Sequence, residues 1–119
     1  MQLSTNNYNN NLDSDERARY KRHLSLEGFG EESQIKLKNS SVIFIGAGGL
    51  GSSAMMYIAA AGIGKIGITD NDKVELSNLQ RQVIHNNSEI GSYKTDSAER
   101  RIKELNPVSY THLTLPTIE

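Results

Sequence analysis

The chain of 119 residues contains no cysteine, which excludes disulfide bonds, thiolate zinc sites and a cysteine nucleophile within it. No apolar run approaches the roughly 18 residues of a membrane-spanning helix, and the first residues lack the apolar core of a signal peptide. A net charge of −1 gives neither the basic field expected for nucleic-acid binding nor an acidic excess typical of disorder. We therefore expect one small cytoplasmic domain, with no nucleic-acid or membrane partner.

A glycine-rich stretch dominates what the sequence does contain. The apolar run Ser41–Ile45 leads into Gly46, Gly48 and Gly51, and a helix-like segment follows. This spacing between a strand and a helix is typical of a turn that holds a phosphate. The helix N-terminus would then direct free N–H groups and a partial positive charge at the ligand. A glycine-rich turn that merely connects the two elements is the alternative.

The residues after this turn predict a strand–helix–strand unit. A helix from about Gly49 to Ala61 is apolar nearly all round, so we expect it to be buried between the sheet and another layer. A second strand, Lys65–Asp70, should complete a right-handed crossover in a parallel sheet, whose first strand is buried on both faces. Asp70 lies near the roughly 20-residue offset expected for a carboxylate that binds ribose. A plain turn residue at the strand end is the alternative.

The flanking segments carry weaker signals. Residues 1–12 are rich in asparagine, which predicts a disordered leader. A capping box, Asp13 with Glu16, predicts a helix that runs to about Leu24. A short second helix is predicted over Glu31–Lys38, with Ile35 and Leu37 buried.

The second half of the chain predicts a polar loop and an amphipathic helix. The block Ser77–Gln82 has one strong apolar residue, so we expect an exposed loop or one helical turn. The last helix is predicted over Lys94–Leu105 and is stopped by Asn106-Pro107. The histidines lie on different elements without ligand spacing, and we assign none of them a metal-binding or catalytic role; they are His23, His85 and His112.

Several blocks of residues match one family in order and spacing. They are Arg19–His23, Phe29–Gly30, Gln34–Leu37, Gly46–Gly51, Ala59–Gly64, Asp70–Asp72 and Ser77–Gln82. Together they resemble the HesA/MoeB/ThiF family, prokaryotic relatives of ubiquitin-activating enzymes, over roughly residues 13–107. The last block separates this family from ordinary dinucleotide dehydrogenases far better than the glycines do.

The resemblance implies an α/β fold and an activity. The fold is a Rossmann-like parallel sheet with helices on both faces, here truncated after the second strand and the following helix. The activity is ATP-dependent adenylation of the C-terminal glycine of a ubiquitin-like sulfur-carrier protein, in molybdopterin or thiamine biosynthesis. The resemblance further implies a homodimer and the use of ATP with Mg²⁺.

The resemblance also implies a role for each matching site residue. Asp70 would hold the ribose hydroxyls, and Gly49 would lie against the phosphates. The catalytic cations would be Arg81 and Lys94, with Arg22 reaching the phosphates of the neighbouring subunit. The full nucleotide-binding set would be Gly46, Gly48, Gly49, Gly51, Asp70, Ser77, Asn78, Leu79, Gln80, Arg81 and Lys94. We expect no metal ligand in this chain, since the family's second magnesium-organising aspartate would lie beyond Pro107 and its cysteine zinc site is missing.

Residues 108–119 depart from the family pattern. They resemble translated vector sequence, and a genuine short β-like tail, limited to an edge by Pro116, is the alternative. A sheet of only the first two strands would expose an unpaired edge and an uncovered apolar face. We therefore expect the chain alone to be marginally stable or prone to aggregation, and inactive.

Other functional classes remain open. A glycine turn followed by Asp70 also fits NAD, as in the nucleotide-binding domain of an oxidoreductase; tighter binding of NAD than of ATP would favour it. A dimerisation fragment without catalysis is the third possibility, which dimer formation without nucleotide binding would support.

Overall fold

The protein is described by a computed structural model over residues 8–114, with the backbone alone for the last strand. A parallel sheet of three strands, in the order β1–β2–β3, forms its centre. The elements are α1 (Ser14–Arg19), α2 (Lys21–Leu24), α3 (Gly30–Lys38), β1 (Ser41–Ile45), α4 (Gly49–Ala61), β2 (Lys65–Thr69), α5 (Lys94–Leu105) and β3 (Tyr110–Thr114). This arrangement confirms the predicted α/β class with a parallel, Rossmann-like sheet. Within the described range, every helix is too short or too polar to cross a bilayer.

The N-terminal helix begins as predicted but ends early. Glu16 N donates to Asp13 Oδ1 and Asp13 N donates to Glu16 Oε1, each at 2.9 Å, so the capping box is present. The single helix predicted as far as Leu24 is wrong, because the chain leaves helical geometry at Tyr20. Tyr20 is only 4% exposed, and its hydroxyl accepts a hydrogen bond from Asn106 Nδ2. Burying this ring turns the backbone between α1 and α2.

The last residues of the expected leader pack on the domain. Leu12 is 5% exposed, and Asn9 exchanges hydrogen bonds with the side chain of Asn39 at 2.8 and 2.9 Å. Residues 8–12 therefore differ from the disorder expected of them, because the burial of Leu12 and the hydrogen bonds between the Asn9 backbone and the Asn39 side chain hold them in place. Residues 1–7 lie outside the described part of the chain.

The hydrophobic core lies between one face of the sheet and the helices α4 and α5. The pairing of Val42 with Ile66 and of Phe44 with Ile68 places these side chains on the same face of the sheet. The buried members of the core are Ala47, Met55, Ala59, Ile63, Ile66, Ile68, Ile84, Ala98 and Ile102. Ile66 and Ile68 of β2 and Ala98 and Ile102 of α5 thus face the same core.

The opposite face of β1 is open in the described part of the protein. Ile43 is 61% exposed and Ile45 is 87% exposed. On the outer side of α4, Leu50 and Tyr57 are exposed as well. Three expectations are therefore wrong for these residues. The strand β1 is not buried on both faces, and the described helices do not cover both faces of the sheet. The helix α4 is not buried all round. The described helices therefore cover only one face of β1, and α4 keeps one solvent-facing side.

The third strand extends the sheet beyond the two strands that the sequence predicts. β3 pairs in parallel with β2, in a register that places Ile66 opposite Thr111. The helix α5 supplies the crossover that a parallel pair requires. The expectation that the sheet ends after β2 is therefore wrong, and the edge of β2 is covered. The alternative of a short β-like tail agrees with this strand, whereas the origin of residues 108–119 stays a prediction.

Polar side chains hold the C-terminal end of α4. Gln34 Nε2 donates to Ala61 O at 2.8 Å, and Asn106 Nδ2 donates to Ala59 O at 2.7 Å. Gln34 is fully buried, whereas Ile35 and Leu37, which the sequence predicts to be buried in α3, are only half-buried. These contacts anchor one end of α4 and thereby position its other end beside the strands.

Candidate functional site

The glycine turn has the geometry that its spacing predicts. Gly46 has a φ of 100°, a conformation that favours glycine. A Cβ on Gly51 would lie 3.1 Å from Gly46 O, so the first turn of α4 packs directly against the turn. Gly46 therefore allows the sharp turn, and Gly51 allows the close approach of the helix to it.

The N-terminus of α4 is not capped by a side chain. Gly48 is the N-cap residue, and the helix's first internal hydrogen bond runs from Ser52 N to Gly48 O at 2.7 Å. The N–H groups of Gly49, Leu50 and Gly51 precede that bond and find no acceptor among the described residues. Leu50 is 93% exposed, so this end of the helix is open. It presents N–H donors and the positive end of a helix dipole to an anion.

Asp70 lies beside this turn at the carboxyl end of β2. Its Oδ2 accepts a hydrogen bond from Ala47 N at 2.7 Å, and its Oδ1 accepts one from Asp72 N at 2.8 Å. The predicted proximity of Asp70 to the glycine turn is therefore found in the structure. Each carboxylate oxygen has a second acceptor site, so the half-buried side chain retains capacity for hydroxyl donors.

The polar block begins in a 3₁₀ turn, Leu76–Asn78, which agrees with the expected loop or helical turn. Asn78 Oδ1 accepts a hydrogen bond from Glu75 N at 2.9 Å and so stabilises the turn. Ser77 and Gln80 are exposed, while Leu79 is half-buried. Within residues 8–114, no hydrogen bond joins these residues to the glycine turn. Their nucleotide-binding role stays a prediction.

The end of the block contacts the turn through Gln82, which is not among the predicted nucleotide-binding residues. Gln82 is 3% exposed, and a Cβ on Gly48 would lie 3.3 Å from its Nε2. Its Oε1 is buried without a hydrogen-bond partner among the described residues. Ile84 N also donates to Ser52 Oγ at 2.8 Å, so this segment is fixed against α4. Gln82 belongs to the block Ser77–Gln82 that matches the family, and this could have placed it in the site.

The predicted cations occupy different environments. Lys94 is 7% exposed, and its N–H donates to Asp72 O at 2.9 Å, two residues beyond Asp70. Its ammonium forms no ion pair with a described carboxylate, so its charge is available to an anion. Arg81 is exposed, with only a long 3.5 Å contact to Ser77 O, and Arg22 is exposed on α2. Lys94 thus joins the Asp70 end of the sheet, whereas the structure connects neither arginine to the turn.

His85 contacts the glycine turn directly, although its spacing gave no reason to place it there. It is 4% exposed, with Nε2 2.9 Å from Ala47 O and Nδ1 2.7 Å from Ser97 Oγ. Burial lowers the pKa of His85 below its usual value, against the opposing effect of its hydrogen bond to the Ala47 carbonyl. A buried, neutral imidazole therefore links the turn to α5.

Comparison with known proteins identifies the family. The sequence profile of the ThiF family matches residues 20–113. The chain belongs to the ThiF family. This confirms the resemblance seen in the sequence, and the match extends into the segment after Pro107.

Individual relatives agree with this assignment. The adenylyltransferase and sulfurtransferase UBA4 of Candida albicans is 54% identical over 103 residues, which cover 86% of this chain and 24% of that protein. A probable molybdopterin-synthase adenylyltransferase of Porphyra purpurea is 50% identical over 93 residues, covering 78% of this chain and 24% of that protein. The chain thus spans about a quarter of the length of these curated relatives.

A solved structure shares the fold and contains ATP. The tRNA N6-threonylcarbamoyladenosine dehydratase of E. coli, determined in complex with ATP, matches with a TM-score of 0.80 and 27% identity. The match covers 87% of this chain and 42% of that one.

The residues around the glycine turn fit a nucleoside phosphate. An uncapped helix N-terminus offers N–H donors to phosphate oxygens, and the unpaired Lys94 offers a cation. The free acceptor sites of Asp70 suit ribose hydroxyls. The N–H donors and the Asp70 carboxylate lie together at the carboxyl end of β2, and the backbone of Lys94 is bonded to Asp72 in the same loop. This arrangement suits a phosphate joined to a ribose.

Proposed function

We propose that this chain is the nucleotide-binding part of an enzyme that uses ATP to adenylate the C-terminal glycine of a ubiquitin-like sulfur-carrier protein. The observation that carries the proposal is the uncapped N-terminus of α4 beside the Asp70 carboxylate. The adenylyltransferase names of the curated relatives support the reaction class. A molybdopterin-type or a thiamine-type carrier remains equally compatible with these residues.

The chemistry requires charge compensation more than proton transfer. A C-terminal carboxylate is already ionised at neutral pH, so no general base is needed. ATP would supply the adenylyl group, which the carboxylate takes at the α-phosphorus as the bond to pyrophosphate breaks. Two like charges about 4 Å apart repel by roughly 4 kcal/mol at an effective dielectric near 20. Cations and oriented N–H groups around the phosphates offset this repulsion.

Each assigned residue has a part in that compensation. The N–H groups from Gly49 to Gly51 would donate to phosphate oxygens, and Asp70 would fix the ribose through its free acceptor sites. Lys94 and Arg81 would neutralise the triphosphate, with Arg22 given by a second subunit of a homodimer. The planar guanidinium of arginine suits phosphate oxygens especially well. Mg²⁺ would accompany the triphosphate, and its protein ligand is expected outside the described residues.

The site is tested by measuring the affinity of the Lys94→Ala variant for ATP, with Lys103→Ala as the control. Both lysines lie on α5, but Lys103 is exposed and pairs with Glu99 at 3.5 Å. We expect Lys94→Ala to weaken ATP binding at least tenfold, about 1.4 kcal/mol, and Lys103→Ala to leave it unchanged. Equal affinities of the two variants for ATP would contradict the assignment of Lys94.

The reaction itself is tested by ATP–pyrophosphate exchange. A protein of the relatives' length that contains this sequence should exchange label only when a carrier with a free C-terminal glycine is present. Tighter binding of NAD than of ATP would favour the oxidoreductase reading instead. Dimer formation without any nucleotide binding would favour the dimerisation fragment.

A further inference from the structure

The buried His85 has hydrogen-bond partners that determine its tautomer. Its Nε2 lies 2.9 Å from Ala47 O, and a carbonyl oxygen can only accept a hydrogen bond. The proton of the neutral ring must therefore be on Nε2, and Nδ1 accepts the Ser97 hydroxyl proton across 2.7 Å. The ring thus donates to the glycine turn from a fixed position on the buried side of the site.

The orientation of one carbonyl determines that of the next N–H. In a planar trans peptide the C=O and N–H bonds point in opposite directions. Because Ala47 O is turned towards His85, the N–H of Gly48 must point away from the imidazole. Gly48 is the N-cap of α4, and its N–H finds no acceptor among the described residues. The bond from His85 therefore leaves one more donor free next to those of the helix N-terminus.

We propose that His85 is a positioning residue that holds the Gly48 N–H in the direction from which it donates to a phosphate of the bound nucleotide. This rests on the proposed function of the glycine turn. Asp70 holds the preceding peptide through Ala47 N, so the two side chains fix successive peptide groups of the turn. His85 acts on the nucleotide only through the backbone and does not touch it.

The charged surroundings favour the neutral ring that this role requires. Burial is the main cause of the lowered pKa of His85, and the positive charge of Lys94 lowers it further. The Ala47 hydrogen bond and the carboxylates of Asp70 and Glu89 oppose this effect. The balance keeps a single donor on Nε2 near neutral pH.

Glutamine and asparagine differ in side-chain length, so the two variants separate the contact of His85 with Ala47 from its contact with Ser97. His85→Gln places an amide N–H where Nε2 lies and can keep the bond to Ala47 O. His85→Asn reaches only the position of Nδ1, so it can keep Ser97 but loses Ala47. Ser109→Ala is the stability control, since it removes a buried 2.6 Å hydrogen bond to Ile63 O at the far end of α4.

The measurement is an ATP titration of the ¹⁵N-labelled chain, monitored at the Gly48 amide resonance. We expect the wild type, His85→Gln and Ser109→Ala to show the same large Gly48 shift and similar affinity. His85→Asn should lose most of that shift and bind ATP about tenfold more weakly. An undiminished Gly48 shift in His85→Asn, or failure of His85→Gln to restore it, would overturn the proposal.

A second spectrum separates this inference from the proposed function. Without nucleotide, the ¹⁵N shifts of the His85 ring should report a proton on Nε2 and none on Nδ1 near pH 7.5. A ring protonated on Nδ1 refutes the positioning role even if ATP binds. A ring with the expected tautomer in a protein that binds no ATP refutes the proposed function instead.

Discussion

Replacing Asp70 with asparagine tests the link between the glycine turn and the end of β2. The carboxylate accepts one backbone N–H on each oxygen, from Ala47 and from Asp72. Asparagine has a single acceptor oxygen, so its NH₂ group must face one of these N–H donors. The bond that survives also loses its ionic character, and hydrogen bonds to charged groups are the stronger class.

The expected decrease in the free energy of unfolding follows from these two losses. A hydrogen bond to a charged group contributes about 1.5–3 kcal/mol and a neutral one about 0.5–1.5 kcal/mol, so weakening the retained bond costs about 1 kcal/mol. The Asp72 N–H lies at an exposed position where water can replace the acceptor, which limits the second loss to about 1 kcal/mol. We expect Asp70→Asn to lower the free energy of unfolding by about 2 kcal/mol and the melting temperature by roughly 8 °C.

Asp72→Asn is the matched control for this experiment. It makes the same change in charge, but Asp72 is exposed and its described hydrogen bonds involve only its backbone. Its unfolding free energy should stay within about 0.5 kcal/mol of the wild type. Urea denaturation followed by circular dichroism measures both variants, and ATP titration should show weaker binding only for Asp70→Asn. Equal stability of the two variants would refute the reasoning about Asp70.

Three further predictions concern the turn, the buried histidine and the open sheet face. In a urea titration, Gly51→Ala should lower the free energy of unfolding by about 1 kcal/mol, because the new Cβ meets Gly46 O at 3.1 Å. Gly67→Ala should lower it less, because there the Cβ meets only the Ile43 side chain, at 3.4 Å. Since the pKa of His85 is lowered, its contribution to stability is complete above the unfolded value near 6.5 and declines as the pH falls towards the folded value. Urea midpoints at pH 7.5 and 5.5 should therefore differ more for the wild type than for His85→Gln, and equal differences would contradict this. Ile45 is 87% exposed, so Ile45→Lys should change the unfolding free energy by less than about 0.5 kcal/mol. The same variant should reduce aggregation, measured by light scattering. A loss of stability would show that Ile45 is covered in the folded chain.

The elements that local patterns determine were predicted well. The strand β1 and the helices α4 and α5 have the predicted bounds, because apolar periodicity and flanking glycine or Asn-Pro signals lie within each segment. Asp70 could be placed near the glycine turn because the carboxyl end of a parallel strand has a fixed relation to the turn after its neighbour.

The buried polar residues could not be predicted, since their partners are distant in sequence. Gln34 bonds to a carbonyl 27 residues away, and Asn106 bonds to one 47 residues away. His85 reaches Ala47 across 38 residues. No local pattern indicates which polar side chain will satisfy a helix end or a turn in the folded chain. The third strand was missed for a different reason, because residues 108–119 were expected to depart from the family pattern, whereas the family profile matches as far as residue 113.

The central claim is that the glycine turn and the N-terminus of α4 bind the phosphates of ATP. Titration of the ¹⁵N-labelled chain with ATP, followed at backbone amide resonances, tests it most directly. We predict saturable shifts concentrated at residues 48–51, larger for ATP than for NAD at equal concentration. The absence of shifts at millimolar ATP, or shifts confined to residues remote from the turn, would contradict the claim.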